Sequence, residues 1–90
     1  MPAVLVRTLP DELVHDLDRD LPIPLYAQLA QRIESAITNG TLERGYRLES
    51  ETVLGRRIGL SYSTVHSAVD VLVKKGLLMR SRGIGTLVIP

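Results

Sequence analysis

The 90-residue sequence has no cysteine, no phenylalanine and no tryptophan, and Tyr26, Tyr46 and Tyr62 are its only aromatics. Without cysteine there is no disulfide framework, no thiolate zinc site and no thiol nucleophile. Nothing calls for an oxidising compartment, so a cytoplasmic location is expected. No apolar run approaches the roughly 20 residues that span a bilayer, so no membrane partner is expected. The opening MPAVLVRTLPDE lacks both a basic leader and an adequate apolar run, so it is not expected to act as a signal peptide. The length suits one small domain. Its core has to be assembled from Leu, Ile, Val and Ala.

A dominant charge is missing as well, since the formal net charge is +1. The distribution says more than the total. Residues 1–24 carry two Arg against five acids, whereas residues 25–90 carry nine Lys or Arg against five acids. The acidic part reads as an N-terminal extension over residues 1–21 that packs on its own domain or on a second copy. Within it Leu13, Val14 and Leu17 could share one face of a short helix from Asp11 to Asp18, with Pro10 as the start signal. Pro22 and Pro24 then hold the chain extended.

The basic part, residues 22–90, has clear periodicity. Leu25, Leu29, Ile33 and Ile37 recur every fourth residue with Ala36 beside them, which predicts an amphipathic helix stopped at Asn39-Gly40. Ser50, backed by Glu51, is an N-cap for a second helix that should bury Val53, Leu54 and Ile58 and end at Gly59. Leu60 alone separates that glycine from Ser61, the N-cap candidate of a third helix. That helix places Val65, Ala68, Val69 and Leu72 on one face and runs to about Lys75, where Lys74 and Lys75 suit the dipole and Gly76 closes it. Two β-rich runs, Leu77–Arg80 and Thr86–Ile89, flank a glycine-bearing loop and predict a hairpin. Helix, helix, tight turn, helix and hairpin make a winged helix-turn-helix: α+β, mainly helical, three helices plus a C-terminal β-hairpin wing.

The residues at these positions resemble the DNA-binding domain of the GntR family of transcription regulators. Pro24-Leu25-Tyr26, Asn39-Gly40, Leu42 and Gly45 are similar to its first third, and Leu48, Ser50-Glu51 and Leu54 to its second helix. Gly59-Leu60-Ser61, Thr64-Val65, Ala68, Leu72 and Gly76-Leu77-Leu78 are similar to its turn and recognition helix. Arg80 and Gly83-x-Gly85-Thr86-x-Val88 are similar to its wing. The match is in register over residues 22–89. It departs where the family usually carries Arg, at Thr52, Tyr62 and His66, and where it prefers Pro, at Arg44 and Glu49. The resemblance implies sequence-specific binding of double-stranded DNA by a bacterial regulator, a repressor that excludes polymerase by occupancy, working as a homodimer on a pseudo-palindrome. Members usually continue into a C-terminal domain that binds a small metabolite and dimerises, so an effector is expected only if such a domain follows Pro90.

On that reading Ser61, Tyr62, Ser63, Thr64, His66 and Ser67 form the polar start of the recognition helix, which enters the major groove. Ser61 is also the helix cap, and Thr64 can cap the same turn. Tyr62 can bond a phosphate or pack on a thymine methyl, and His66 can donate to guanine or to a phosphate. Arg44, Arg47, Ser50, Arg56 and Arg57 are placed to hold phosphates. Arg80, Arg82, Gly83 and Gly85 belong to the wing, whose arginine tip suits a narrow minor groove.

Other chemistries fail on the same residues. Ser61, His66 and Asp70 all fall on one helix with no oxyanion-hole element, so they make no catalytic triad, and no enzyme activity is expected. Gly83-x-Gly85 precedes no helix and so is not a nucleotide-phosphate loop. Asp16-x-Asp18-x-Asp20 opens like a calcium loop, but Leu21 stands where glycine is needed and Ala27 where the closing Glu belongs. No metal and no cofactor are expected. The rival reading, favoured by the missing arginines and near-neutral charge, is a winged helix used for protein interaction or dimerisation.

Overall fold

The structure, a computed structural model, describes residues 6–7, 9–14 and 17–89. Its elements run in chain order as β1 (Val6–Arg7), α1 (Asp11–Val14), α2 (Leu25–Thr38), β2 (Arg47–Leu48), α3 (Glu51–Ile58), α4 (Tyr62–Lys74), β3 (Leu78–Ser81) and β4 (Gly85–Val88). The three long helices, the tight turn between α3 and α4 and the terminal hairpin follow the sequence reading. The two-residue strands β1 and β2 do not appear in that reading, because two residues carry no alternation to detect. They complete a four-stranded sheet of order β1-β2-β4-β3, in which β1 runs parallel to β2 and the other pairs are antiparallel.

Periodic apolar faces build the core. Leu29, Ile33 and Ala36 of α2 meet Val65, Ala68, Val69 and Leu72 of α4, and Leu54 of α3 closes one end. Leu48, Leu78 and Val88 of the sheet seal the other side. The core is aliphatic, as the missing aromatics require. Lys75 Nζ reaches Glu34 Oε1 at 2.8 Å and ties the end of α4 to α2.

Two local expectations need correction. Val53 is not buried but 49% exposed, while Leu54 and Gly55 are buried. In this two-turn helix, Leu54 and Ile58 share the inward stripe, and Val53 falls 100° away from Leu54. The short N-terminal helix covers Asp11–Val14 and does not reach Leu17 or Asp18; residues 15 and 16 lie outside the described residues. Asp18 has its backbone polar groups satisfied elsewhere: its N–H donates to Gln28 Oε1 and its carbonyl accepts from Gln28 Nε2, both at 2.8 Å.

Leu9, from the acidic N-terminal part, is 1% exposed and belongs to the same core, with Leu13, Val14 and Leu17 packed against it. Its backbone is gripped by buried Glu49 and the partly exposed Arg57. Leu9 N–H donates to Glu49 Oε1 at 2.8 Å, and Arg57 Nη2 donates to Leu9 O at 2.8 Å and to Glu49 Oε1 at 2.7 Å.

Candidate nucleic-acid interface

Two serine caps start the helices that frame the site. Ser50 Oγ accepts from Val53 N–H and Ser61 Oγ from Thr64 N–H, each at 3.1 Å, so each satisfies one orphan donor of a first turn. Between these helices Gly59 adopts φ 72°, and Gly55 sits so close to the turn that a Cβ would lie 2.8 Å from Leu60 O. The turn therefore sets α4 hard against α3 and projects the start of α4 outward. Ser61, Tyr62, Ser63 and Ser67 are exposed, with Thr64 and His66 partly so.

Tyr62, 55% exposed, stacks on His66 with ring centroids 5.5 Å apart and planes at 24°. His66 Nδ1 lies 2.7 Å from Glu51 Oε1. Glu51 Oε2 accepts from Arg80 Nε at 3.2 Å, and Arg80 Nη1 donates to Asp70 Oδ1 at 3.1 Å. Arg80 thus spans α3, α4 and the wing, and two carboxylates meet its charge. Hydrogen bonds from Arg80 and then Lys74 hold the Asp70 carboxyl below its ordinary value.

A cleft of about 720 Å³ opens between the start of α3, the start of α4 and the wing, and Thr52, Val53, Tyr62, His66 and Arg80 are among the residues lining it. Arg47 lines it too. Its Nε is buried without a hydrogen-bond acceptor, and a Cβ on Gly85 would come within 3.3 Å of that nitrogen. A side chain at 85 would press on the guanidinium and would also have to adopt φ 117°. At the wing tip Ile84 N–H closes a turn onto Ser81 O at 3.0 Å, with Gly83 at φ 80°. Arg82 is exposed there with no acceptor among the described residues, as are Arg44 and Arg56.

The expected site residues therefore separate into groups. The cleft gathers Arg47, Ser50, Tyr62, His66, Arg80 and Gly85. Ser61, Ser63 and Thr64 form one hydroxyl cluster at its edge, with Ser61 Oγ 2.8 Å from Thr64 Oγ1 and 3.4 Å from Ser63 Oγ. Arg82 and Gly83 stand at the wing tip. Arg57, its side chain 26% exposed, is engaged by Glu49 and by the Leu9 carbonyl. The sequence reading took Glu51 as a capping acid and Val53 as core. Both line the cleft; the partners of Glu51, His66 and Arg80, stand 15 and 29 residues away and leave no local signal. Among the described residues no three His, Asp or Glu side chains gather to hold a metal, and no helix is long and apolar enough to cross a membrane.

A family model for bacterial regulatory proteins of the gntR family matches residues 25–88, nearly the whole of this framework. The chain belongs to the GntR family. The HTH-type transcriptional repressor NagR of Bacillus subtilis strain 168 is 37% identical over 73 residues, which is 81% of this chain and 30% of that protein. The histidine utilization repressor of Pseudomonas aeruginosa is 39% identical over 69 residues, 77% of this chain and 28% of that one. This GntR chain thus spans less than a third of the length of these curated relatives. Among solved structures, YtrA of Sulfolobus acidocaldarius, a GntR-family transcription factor, superposes with a TM-score of 0.78 at 27% identity, covering 86% of this chain and 81% of that one. The AraR DNA-binding domain in complex with operator ORX1 superposes with a TM-score of 0.69 at 30% identity, covering 92% and 95%. The GntR fold here is the winged helix-turn-helix.

Proposed function

We propose that this GntR chain binds double-stranded DNA sequence-specifically as part of a bacterial transcription regulator, a repressor acting by occupancy of its operator. The observation that carries the reading is the arrangement, around the exposed polar start of α4, of cations with no acceptor among the described residues. Arg47 lies in the cleft and Arg82 on the wing tip, with Arg56 exposed on α3. Guanidinium groups left without carboxylates suit phosphate oxygens, which they can grip with two donors at once. The operator complex of the AraR DNA-binding domain and the names of the repressor relatives support it.

The exposed cations and the polar start of α4 support a sorting of contacts. Arg82 enters the minor groove or rides its edge, Arg47 and Arg56 hold the backbone, and Arg80, already met by Glu51 and Asp70, positions the wing against α4. Tyr62, His66 and the serines of α4 face base edges. One module of this size offers limited affinity, so two copies on a pseudo-palindrome are the working unit. A regulator that binds bacterial DNA works in the cytoplasm, and the repressor names of the relatives support that location. An effector enters only through a further domain, as the lengths of the relatives allow.

Selection from random duplexes tests this directly. An enriched sequence with two half-sites about one helical turn apart is expected. Recovery of no sequence over background would overturn the reading in favour of a protein-interaction module.

A further inference from the structure

We propose that Glu51 fixes the proton of His66 on Nδ1, so that Nε2 faces the DNA as a hydrogen-bond acceptor and His66 selects a base carrying an exocyclic amine, adenine or cytosine. The inference rests on the DNA-binding reading above and adds which base chemistry one residue reads.

The argument starts from the 2.7 Å separation of His66 Nδ1 and Glu51 Oε1. An ionised carboxylate only accepts hydrogen bonds, so a contact this short needs the proton on Nδ1. Two other groups lie farther from the same atom, Arg80 Nη2 at 3.3 Å and Tyr62 Oη at 3.4 Å. Arg80 Nη2 has His66 O at 3.3 Å as an alternative acceptor. A neutral imidazole protonated on Nδ1 has a bare lone pair on Nε2. Nε2 has no partner among the described residues, and the side chain is 44% exposed.

The ring is held from three sides. Glu51 takes Nδ1, Tyr62 stacks on the ring face, and α4 carries the backbone. Glu51 is itself held, because its second oxygen accepts from Arg80 on the wing. The tautomer is therefore set by a residue of α3 and locked by one of β3. In the major groove an acceptor pairs with the N6 amine of adenine or the N4 amine of cytosine, and meets only acceptors on guanine N7 and O6 and thymine O4. Glu51 is a positioning residue in this scheme, and His66 makes the contact.

Two measurements on the same protein test it. Imidazole ¹⁵N correlation spectra of the unbound chain at about pH 8 should show Nε2 of His66 without a proton. In Glu51→Gln, whose amide can donate as well as accept, both tautomers should be present. Selection from random duplexes should then give one position where adenine or cytosine is preferred roughly tenfold over guanine. Glu51→Gln should reduce that preference to about twofold, and His66→Ala, which leaves Glu51 and Arg80 in place, should abolish it. A proton on Nε2 in the wild type, a guanine or thymine preference at the position lost in His66→Ala, or an unchanged site in both variants overturns the proposal. An enriched site unaltered by either variant overturns this proposal alone. Failure to retain any duplex overturns it together with DNA binding.

Discussion

Arg57 and Arg82 have the same side chain and opposite surroundings. Arg57 meets the side chain of Glu49, which is 3% exposed, and the carbonyl of Leu9, so removing it leaves a buried carboxylate unpaired. Arg57→Ala is expected to lower stability by about 3 kcal/mol in chemical denaturation, because an uncompensated buried charge costs several times a surface pair. The Leu9 amide should exchange faster in the same variant. A loss under about 0.5 kcal/mol would show that the pair does not hold the N-terminal segment. Arg82→Ala, with no partner to lose among the described residues, should leave stability within about 0.5 kcal/mol of the wild type. The sequence distinguished these arginines poorly. Ser50 and Ser61 were legible as caps because a cap is written within four residues. The partners of Arg57 and Glu51 lie 8 to 48 residues away, and only the fold brings them together.

At the scale of elements, the α3–α4 turn and the docking of the wing on α4 fix the site. Gly55 lies within α3, where Ala would ordinarily gain about 1 kcal/mol of helix propensity. Its Cβ would meet the Leu60 carbonyl oxygen at 2.8 Å, a backbone atom that cannot swing away. Gly55→Ala is therefore expected to destabilise the fold by about 1–3 kcal/mol, read as a lowered Tm. A raised Tm would mean that propensity wins and the turn is slack. The wing is docked through Arg80 on Asp70, whose carboxyl is held below its ordinary value of 3.8 by hydrogen bonds from Arg80 and Lys74. A depressed carboxyl stabilises the fold above its ordinary value and loses that contribution as pH falls through the depressed one. The stability difference between the wild type and Asp70→Asn should thus stay constant between about pH 7 and 5 and shrink as the pH falls below the ordinary carboxyl value. A difference that grew on acidification would contradict the pairing. Helices α2, α3 and α4 and the hairpin were legible because each repeats its pattern over several turns or strands. Strands β1 and β2 were not, being made by pairing rather than by local pattern.

For the whole molecule, the near-neutral total charge conceals an asymmetric surface. Glu49, Glu51 and Asp70 absorb Arg57, His66 and Arg80 within the fold, while Arg44, Arg47, Arg56 and Arg82 keep no carboxylate among the described residues. The helix that begins at Tyr62 and the terminal hairpin follow from element order and caps. The sequence could not divide the cations into those spent on the fold and those left for a partner. That division is the central claim, and a salt series tests it most directly. Fluorescence anisotropy with the selected duplex should give a log–log slope near −0.9 for each phosphate held, several in all, and Arg82→Ala should reduce its magnitude by about one. A flat salt dependence, or no binding at low salt, would contradict it.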